Sequence, residues 1–244
     1  ECSRQAVYYF ILPPIESSRI HTKDTFSFRY GQVQIRAKMP LGDWIVPELW
    51  LLPKSDSYGP YYSSGKIRLA MARGNEDLKL GKDDLSNSEL ECGVLMGVGD
   101  DIQGRVTKWH EGEGWSNQFH NFTFQWTPDN LSFSVDDSNP VDLITPPGGR
   151  LRDLVEFNSR PPKSWSKGSN VAPFDKEFYL SIGLSVGGTR DFPNGSSSKE
   201  YVKPWNNSDA KAMLHFWQSK DDWYETWTGE SSALQIDYIK VTAL

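Results

Sequence analysis

The chain has 244 residues, 37% of them hydrophobic and 13% aromatic, with ten tryptophans. This length suits one large all-β domain, and the aromatic content excludes a disordered or coiled-coil chain. The net charge of −6, with lysine and arginine spread along the sequence, argues against nucleic acid or an anionic membrane as the main partner. No apolar run approaches the roughly 18 residues of a membrane span and no signal-peptide pattern opens the chain, so we expect mature, soluble material.

Alternation of apolar and polar residues dominates the sequence and predicts strands that bury one face. The alternation is strict over 33–39. It recurs over 122–126 and 131–135, and the turn-forming residues between these two segments predict a hairpin. Further strands are predicted over 178–186 and 234–241.

Helical pattern is scarce in this sequence. One helix is predicted over 209–217, where Met213, Phe216 and Trp217 share a face. The stretch 140–170, rich in proline, glycine, serine and charge, is interpreted as a long surface loop. These features predict an all-β sandwich or jelly roll, formed by a single domain over residues 1–244.

The cysteines and the N-glycosylation motifs indicate whether the protein is secreted or intracellular. Four Asn-X-Ser/Thr triplets begin at Asn121, Asn130, Asn194 and Asn206. Such triplets matter only in a secretory protein, so they favour a secreted, extracellular glycoprotein. Cys2 and Cys92 would then form a disulfide, or Cys2 would pair with a residue upstream of this chain.

Two segments carry a family resemblance: residues 42–53 read GDWIVPELWLLP and residues 64–75 read SGKIRLAMARGN. Together with 18–20, 26–33, 119–129, 187–189, 203–205 and 233–238, they resemble the laminarinase branch of glycoside hydrolase family sixteen. Residues 2–5 and 9–14 are most similar to the glucanase-like domain of insect β-1,3-glucan recognition proteins, also called Gram-negative-bacteria-binding proteins. The resemblance implies a concanavalin A-like jelly roll of two antiparallel sheets with a concave cleft, lacking some N-terminal strands.

The catalytic strand of that family reads Gly-Glu-Ile-Asp-Ile-x-Glu-x-Arg-Gly-Asn. The resemblance places its nucleophile at Lys66, its assisting aspartate at Arg68 and its acid/base glutamate at Met71. A histidine and tryptophan on the neighbouring strand correspond to Leu95 and Met96. A retaining glycosidase needs two carboxyl groups about 5 Å apart, and this strand has none. We therefore predict a pseudoenzyme with no catalytic residues.

The replacements also oppose the reaction electrostatically. Lysine is protonated at neutral pH, arginine keeps its proton in proteins, and methionine has no proton to donate. Because the transition state is positively charged at the sugar ring, a cation about 5 Å away costs about 3 kcal/mol at an effective dielectric constant near 20, or about a hundredfold in rate. Residual hydrolysis is the least favoured interpretation.

The resemblance also suggests residues that contact a ligand. Alternation places Lys66 and Arg68 on one face of their strand. The resemblance implies that this face lines the cleft, whereas the residues alone favour a solvated face without function. Glu48 is a hypothetical ion-pair partner for one of the two cations. Indole faces stack on sugar rings. The expected ligand-binding residues are Trp44, Arg73, Asn75, Trp115, Arg190 and Trp205, although Arg73, Asn75 and Arg190 could equally be structural. Trp109 and Trp165 lie in similar loop-like segments, whereas Trp50, Trp126, Trp217, Trp223 and Trp227 are expected to pack in the interior.

No cofactor and no catalytic metal is predicted, because the histidines at 21, 110, 120 and 215 lack metal-ligand spacing. Some relatives carry a structural calcium, a point on which this sequence is silent.

Two functions follow from the resemblance. The first is an innate-immune recognition domain in a haemolymph-like fluid, which binds β-1,3-glucan or a related microbial polysaccharide. The alternative is a scaffold for partners such as immune serine proteases, with no sugar binding of its own. An open groove lined by Trp44, Trp115 and Trp205 would favour sugar binding; a groove filled by Lys66, Arg68, Tyr61 or Tyr62 would favour the scaffold.

Overall fold

Two antiparallel β-sheets, one of six strands and one of five, share a large hydrophobic core. The structure is a computed structural model that describes residues 5–8, 11–143, 149–158 and 160–244. The strands are β1 (Arg19–His21), β2 (Gly31–Lys38), β3 (Ile45–Pro53), β4 (Lys66–Ala72), β5 (Lys79–Leu80), β6 (Asp83–Asp84), β7 (Glu89–Val98), β8 (Asp101–His110), β9 (His120–Trp126), β10 (Leu131–Val135), β11 (Val141–Asp142), β12 (Phe178–Val186) and β13 (Gln235–Thr242). The predicted all-β sandwich is confirmed.

The six-stranded sheet runs in the order β1-β12-β3-β4-β7-β8 and the five-stranded sheet in the order β11-β10-β9-β2-β13. Strands β5 and β6 form a separate small ladder. The helices are α1 (Ala212–Gln218) and α2 (Lys220–Trp223), and short 3₁₀ turns cover Tyr61–Ser64, Leu151–Leu154, Lys163–Lys167, Tyr224–Thr226 and Gly229–Ser232. Within the described ranges, no helix has the length and apolar character needed to cross a membrane.

The period-two pattern explains the five-stranded sheet. In β2, buried and half-buried residues alternate along the whole strand, and Val33 lies opposite Phe124 of β9. Phe124 in turn lies opposite Phe133 of β10, with ring centroids 4.7 Å apart. The β9–β10 hairpin is thus confirmed, and its turn closes with a hydrogen bond from Thr127 N–H to the Asn130 carbonyl.

Two less regular predictions need adjustment. The predicted helix exists, but it begins at Ala212 because the Asp209 carboxylate accepts the Lys211 N–H in a turn. The described part of 140–170 is more than a surface loop, because it contains β11, two 3₁₀ turns and the fully buried Trp165. The indole N–H of Trp165 donates to the Ser63 carbonyl at 2.7 Å.

A second hydrophobic cluster covers one end of the six-stranded sheet. Met71 of β4 belongs to it, whereas its neighbours Ala70 and Ala72 pack in the main core. The segment after β12 supplies most of the large side chains in this cluster, which also contains Trp44. These are Phe192, Trp205, Phe216 and Trp223.

Lys203 fixes the loops beneath that second cluster. Its ammonium group donates to the Phe192 carbonyl and to the side-chain oxygens of Asn194 and Asn207, and it lies 4.6 Å from the Trp205 ring centroid. Burial lowers the pKa of Lys203 to about 8. The Lys-Pro-Trp motif therefore has a structural role, in which the lysine satisfies buried oxygens.

Cys92 lies on β7 and packs in the main core, where burial raises the pKa of its thiol. Cys2 lies outside the described residues. The disulfide between them stays a prediction.

Replacing Phe124 with alanine should lower the free energy of unfolding by about 3–5 kcal/mol, because the buried ring would leave a cavity between the sheets. Urea denaturation measures the change. Val202→Ala is the control, since Val202 is 63% exposed and its truncation should change stability by less than about 0.5 kcal/mol. Equal effects of the two substitutions would contradict this assignment of the core.

Candidate functional site

A recess of about 280 Å³ opens on the outer face of the six-stranded sheet. Strand pairing creates it: Arg68 of β4 lies opposite Trp50 of β3, and Lys66 lies opposite Leu95 of β7. Arg19, Tyr62 and Arg190 complete its charged and aromatic lining. We call this recess the cationic groove. Lys66 and Arg68 line it together, as the alternation predicted.

Arg68 is the buried centre of the groove. It is 5% exposed, its guanidinium donates from Nη1 to Glu91 Oε2 and from Nη2 to Asp191 Oδ1 at 2.9 Å, and its Cζ lies 4.9 Å from the Trp50 ring centroid. A buried guanidinium needs such partners because its desolvation is costly. One cation thus holds β7 and the segment after β12 together.

Arg73 gives Glu91 a second guanidinium partner, with Nη2 3.0 Å from Glu91 Oε1. Burial alone would raise the pKa of Glu91, but the charges of Arg73, Arg68 and Lys108 outweigh burial and lower that pKa below its usual range. Glu91 is therefore ionised at neutral pH and cannot supply a proton. The two carboxylates nearest Arg68, Glu91 and Asp191, are both bound to it and form no acid and base pair.

Glu48 does not pair with the groove cations of β4, so that hypothesis is wrong. Its carboxylate accepts from Arg19 instead. Arg19 and Glu48 both lie opposite Gly183 of β12. Because Gly183 has no side chain, the residues on either side of it can meet across the strand.

Lys66 and Arg190 share an aromatic partner. The Lys66 ammonium lies 4.7 Å and the Arg190 guanidinium carbon 5.1 Å from the Tyr62 ring centroid. Within the described ranges, neither cation has a carboxylate oxygen within the 4.0 Å of an ion pair. Arg190 is exposed and Lys66 half-buried.

The tryptophans expected to stack on sugar are buried, which corrects that prediction. Trp44 is 0% exposed and packs edge-on against Phe192 and Trp205, which is itself 7% exposed. Trp115 is 4% exposed, packs in the main core and donates its indole N–H to the Ser88 carbonyl. None of these three offers an open ring face to a sugar.

Arg73 and Asn75 are likewise structural. Arg73 is committed to Glu91 and to the Asp191 carbonyl, and the buried Asn75 accepts the Trp44 N–H through Oδ1 at 3.1 Å. Of the six expected ligand-binding residues, Arg190 is the one that lines the cationic groove.

The other tryptophans divide as follows. Trp126 and Trp223 are fully buried, as expected. Trp217 is 43% exposed, so interior packing is wrong for it. Trp50 forms part of the groove wall, so its assignment to packing alone is also wrong. Trp227 is half-buried and packs against the second cluster, and Trp109 packs against the main core.

A larger polar recess, about 660 Å³, lies beyond the C-terminal end of β4. Burial raises the pKa of Asp43 in its wall, and Tyr201 donates a hydrogen bond to that carboxylate. Glu76, Asp77 and Glu200 add further negative charge. In the part of the chain that the structure describes, no three His, Cys, Asp or Glu side chains are grouped so that they could hold a metal ion. The absence of a metal stays a prediction.

The four predicted glycosylation sites lie at or near the surface. Asn194 and Asn206 are exposed, whereas Asn121 and Asn130 are half-buried on or beside the five-stranded sheet. Glycosylation at these four residues stays a prediction.

Sequence reasoning named Tyr62 as a residue that would fill the groove beside Lys66 and Arg68, but it did not identify Glu91 and Asp191 as partners of Arg68. Asp191 is 123 positions from Arg68, and Glu91 lies on the neighbouring β7. The sequence signal for a charged contact was the adjacent pair Arg190 and Asp191, which comes soon after a glycine pair. Only the folded chain shows that their charges meet those of β4.

Comparisons of the sequence with a family profile and with curated proteins agree with each other. The profile described as "Glycosyl hydrolases family 16" matches residues 96–147. The chain is 39% identical to "Beta-1,3-glucan-binding protein 1" of Galleria mellonella, across 100% of this chain and 48% of that protein. It is 39% identical to "Gram-negative bacteria-binding protein 1" of Drosophila melanogaster, across 96% and 46%. The chain thus spans about half the length of these relatives.

Solved structures agree on the fold. The laminarinase from Rhodothermus marinus is 21% identical with a TM-score of 0.55, and the match covers 92% of this chain and 70% of that chain. The laminarinase catalytic domain from Thermotoga maritima is 20% identical with a TM-score of 0.52, across 93% and 68%. At such identities these likenesses show the jelly-roll fold alone.

Replacing Arg68 with methionine should destabilise the protein by about 3–5 kcal/mol at pH 7, because two carboxylates lose a partner in a mostly buried site. Urea denaturation measures the change. Arg36→Met is the matched control, since its ion pair with Asp237 is exposed and worth at most about 1 kcal/mol. Similar losses in the two variants would contradict the central role of Arg68.

The same variant should respond differently to acid. The folded-state pKa of Glu91 is lowered, so its contribution to stability is complete above the unfolded-state pKa of about 4.3 and is lost as the pH falls through the folded-state value. Without Arg68, that pKa is lowered less, so the variant should lose less stability than the parent between about pH 5 and pH 3. A parallel decline in both proteins would count against this coupling.

Proposed function

We propose, from the chain's membership of the family of β-1,3-glucan-binding and Gram-negative bacteria-binding proteins, that it is a non-enzymatic domain for the recognition of β-1,3-glucan or a related microbial surface polysaccharide. The observation that carries this proposal is the set of charged side chains in and beneath the cationic groove. Where a glycosidase needs a nucleophile and a proton donor, β4 presents a lysine and a buried arginine that neutralises the nearest carboxylates.

Each replaced position is unsuited to hydrolysis for its own reason. Lys66 lines the groove as a cation, which would repel the positive charge of the transition state. Arg68 is committed to Glu91 and Asp191. Met71 is 1% exposed within the second hydrophobic cluster, so even a carboxyl group at that position would be covered by packed side chains.

The relatives' printed names support binding rather than cleavage. They describe glucan-binding and bacteria-binding proteins, although the matches cover only about half of the first two proteins. We extend that activity to this chain as a secreted, extracellular protein of innate immunity. The specific polymer is left to experiment.

A scaffold function is the second candidate, and the same groove supports it. The tryptophans that would have lined an open sugar cleft are buried, and the recess that remains contains Tyr62, Lys66 and Arg68. Tyr61 beside it is 80% exposed. A protein partner such as an immune serine protease would use this surface without any sugar.

Isothermal titration of the chain with laminarin oligosaccharides should show binding, while a reducing-sugar assay on laminarin should show no release. Asp191→Asn is the diagnostic variant because Asp191 is half-buried and is the more accessible of the two carboxylates bound to Arg68. Sugar release that disappears in Asp191→Asn would overturn the non-enzymatic assignment. Absence of sugar binding combined with activation of an immune protease cascade would support the scaffold instead.

A further inference from the structure

The charges around the cationic groove do not balance. Four carboxylates in the groove or beneath it each have a cationic partner. The pairs are Arg19 with Glu48, Arg68 with Asp191, Arg73 with Glu91 and Lys108 with Glu89. Lys66 and Arg190 are left over in the described part of the chain. The groove therefore carries two excess positive charges, in a chain whose net charge is −6.

The two excess charges share one aromatic partner. Both cations contact the ring of Tyr62, at 4.7 and 5.1 Å from its centroid, so their separation cannot exceed the sum of these two distances. The ring stabilises each cation through its negative face. It does not neutralise them, and like charges within about 10 Å of each other repel unless an anion lies nearby.

We propose that the cationic groove binds an anionic group, a carboxylate or phosphate, carried by a saccharide. Lys66 and Arg190 would donate charge-assisted hydrogen bonds to that group, which are about twice as strong as neutral ones. The half-buried Trp50 and Tyr62 in the groove wall would contact the sugar ring through the parts of their rings that the cations leave uncovered.

The size and chemistry of the groove favour this ligand over a neutral glucan. Its volume of about 280 Å³ lies at the lower end of ligand pockets, which suits one charged sugar residue better than a long chain. A neutral hexose would cover Lys66 and Arg190 without replacing the water that solvates their charges, and that desolvation is costly. An anionic substituent compensates the charge directly.

This inference deepens the proposed function by assigning a ligand class to one site, and it rests on that function only for the choice of a saccharide. Neutral β-1,3-glucan could bind elsewhere on the chain. The two claims therefore require separate titrations, one with neutral and one with charged sugars.

The experiment is isothermal titration of the chain with four probes at low salt. These are neutral laminaritetraose, the same tetraose oxidised at C6 to carry carboxylates, glucose, and glucose 6-phosphate. The charged sugars should bind at least tenfold more tightly than their neutral counterparts, laminaritetraose and glucose, and their affinity should fall as salt is raised. Whichever charged probe binds more tightly identifies the preferred anionic group.

The test variant is the double substitution Lys66→Gln and Arg190→Gln, which should weaken binding of the charged sugars by about tenfold or more, because hydrogen bonds to two charged groups are lost. The matched control is Lys220→Gln with Arg29→Gln. It removes the same two charges from cations that contact aromatic rings elsewhere, Lys220 over Trp217 and Arg29 over Tyr30. Equal urea midpoints of the two double variants exclude unfolding as the cause.

Three results would overturn the proposal: equal affinity for charged and neutral sugars, unchanged affinity in the test variant, or tighter binding of an acidic peptide such as hexaglutamate. The last result would assign the groove to a protein partner. Binding of laminaritetraose with no preference for charge would leave the proposed function standing while this inference fails. Binding of charged sugars alone would uphold this inference and overturn the expectation that the chain binds neutral laminarin oligosaccharides.

Discussion

The ion pairs of Arg68 with Glu91 and Asp191 are the constraint on which the rest of this site depends. A guanidinium that is 5% exposed can be buried only if carboxylates surround it, and here they come from β7 and from the segment after β12. The charges of Arg73 and Arg68 in turn lower the pKa of Glu91 and hold its carboxylate ionised. The positions that could have offered acid and base chemistry are thus committed to structure.

At one end of the six-stranded sheet, hydrophobic packing likewise commits side chains to structure that could have served a sugar site. The segment after β12 folds over Met71 and brings Phe192 and Trp205 against Trp44, with Phe216 packed on Trp205. Once this hydrophobic cluster forms, the indoles of Trp44 and Trp205 become interior groups. The cationic groove that remains on the sheet is small and positively charged, which suits recognition of a charged partner better than cleavage of a long neutral chain.

The alternation of apolar and polar residues predicted those features of the fold that depend on residues near each other in sequence. The β9–β10 hairpin and the shared face of Lys66 and Arg68 follow from a period of two, which is fixed by strand geometry. The burial of Trp44 and Trp115 does not follow from such a pattern, because long-range packing decides whether an aromatic side chain in a loop faces water. The Arg68–Asp191 pair likewise joins residues 123 positions apart, so no local signal reveals it.

The most direct test of this account is the titration of the Glu91 carboxyl, followed by ¹³C NMR of its side chain. If Arg73 and Arg68 hold it ionised, its pKa lies below the ordinary glutamate range of about 4.3, and the carboxyl has no proton to donate at neutral pH. A pKa raised to about 6 or above would contradict the account, because a proton donor of the kind that glycoside hydrolysis requires would then lie beside Arg68, beneath the groove.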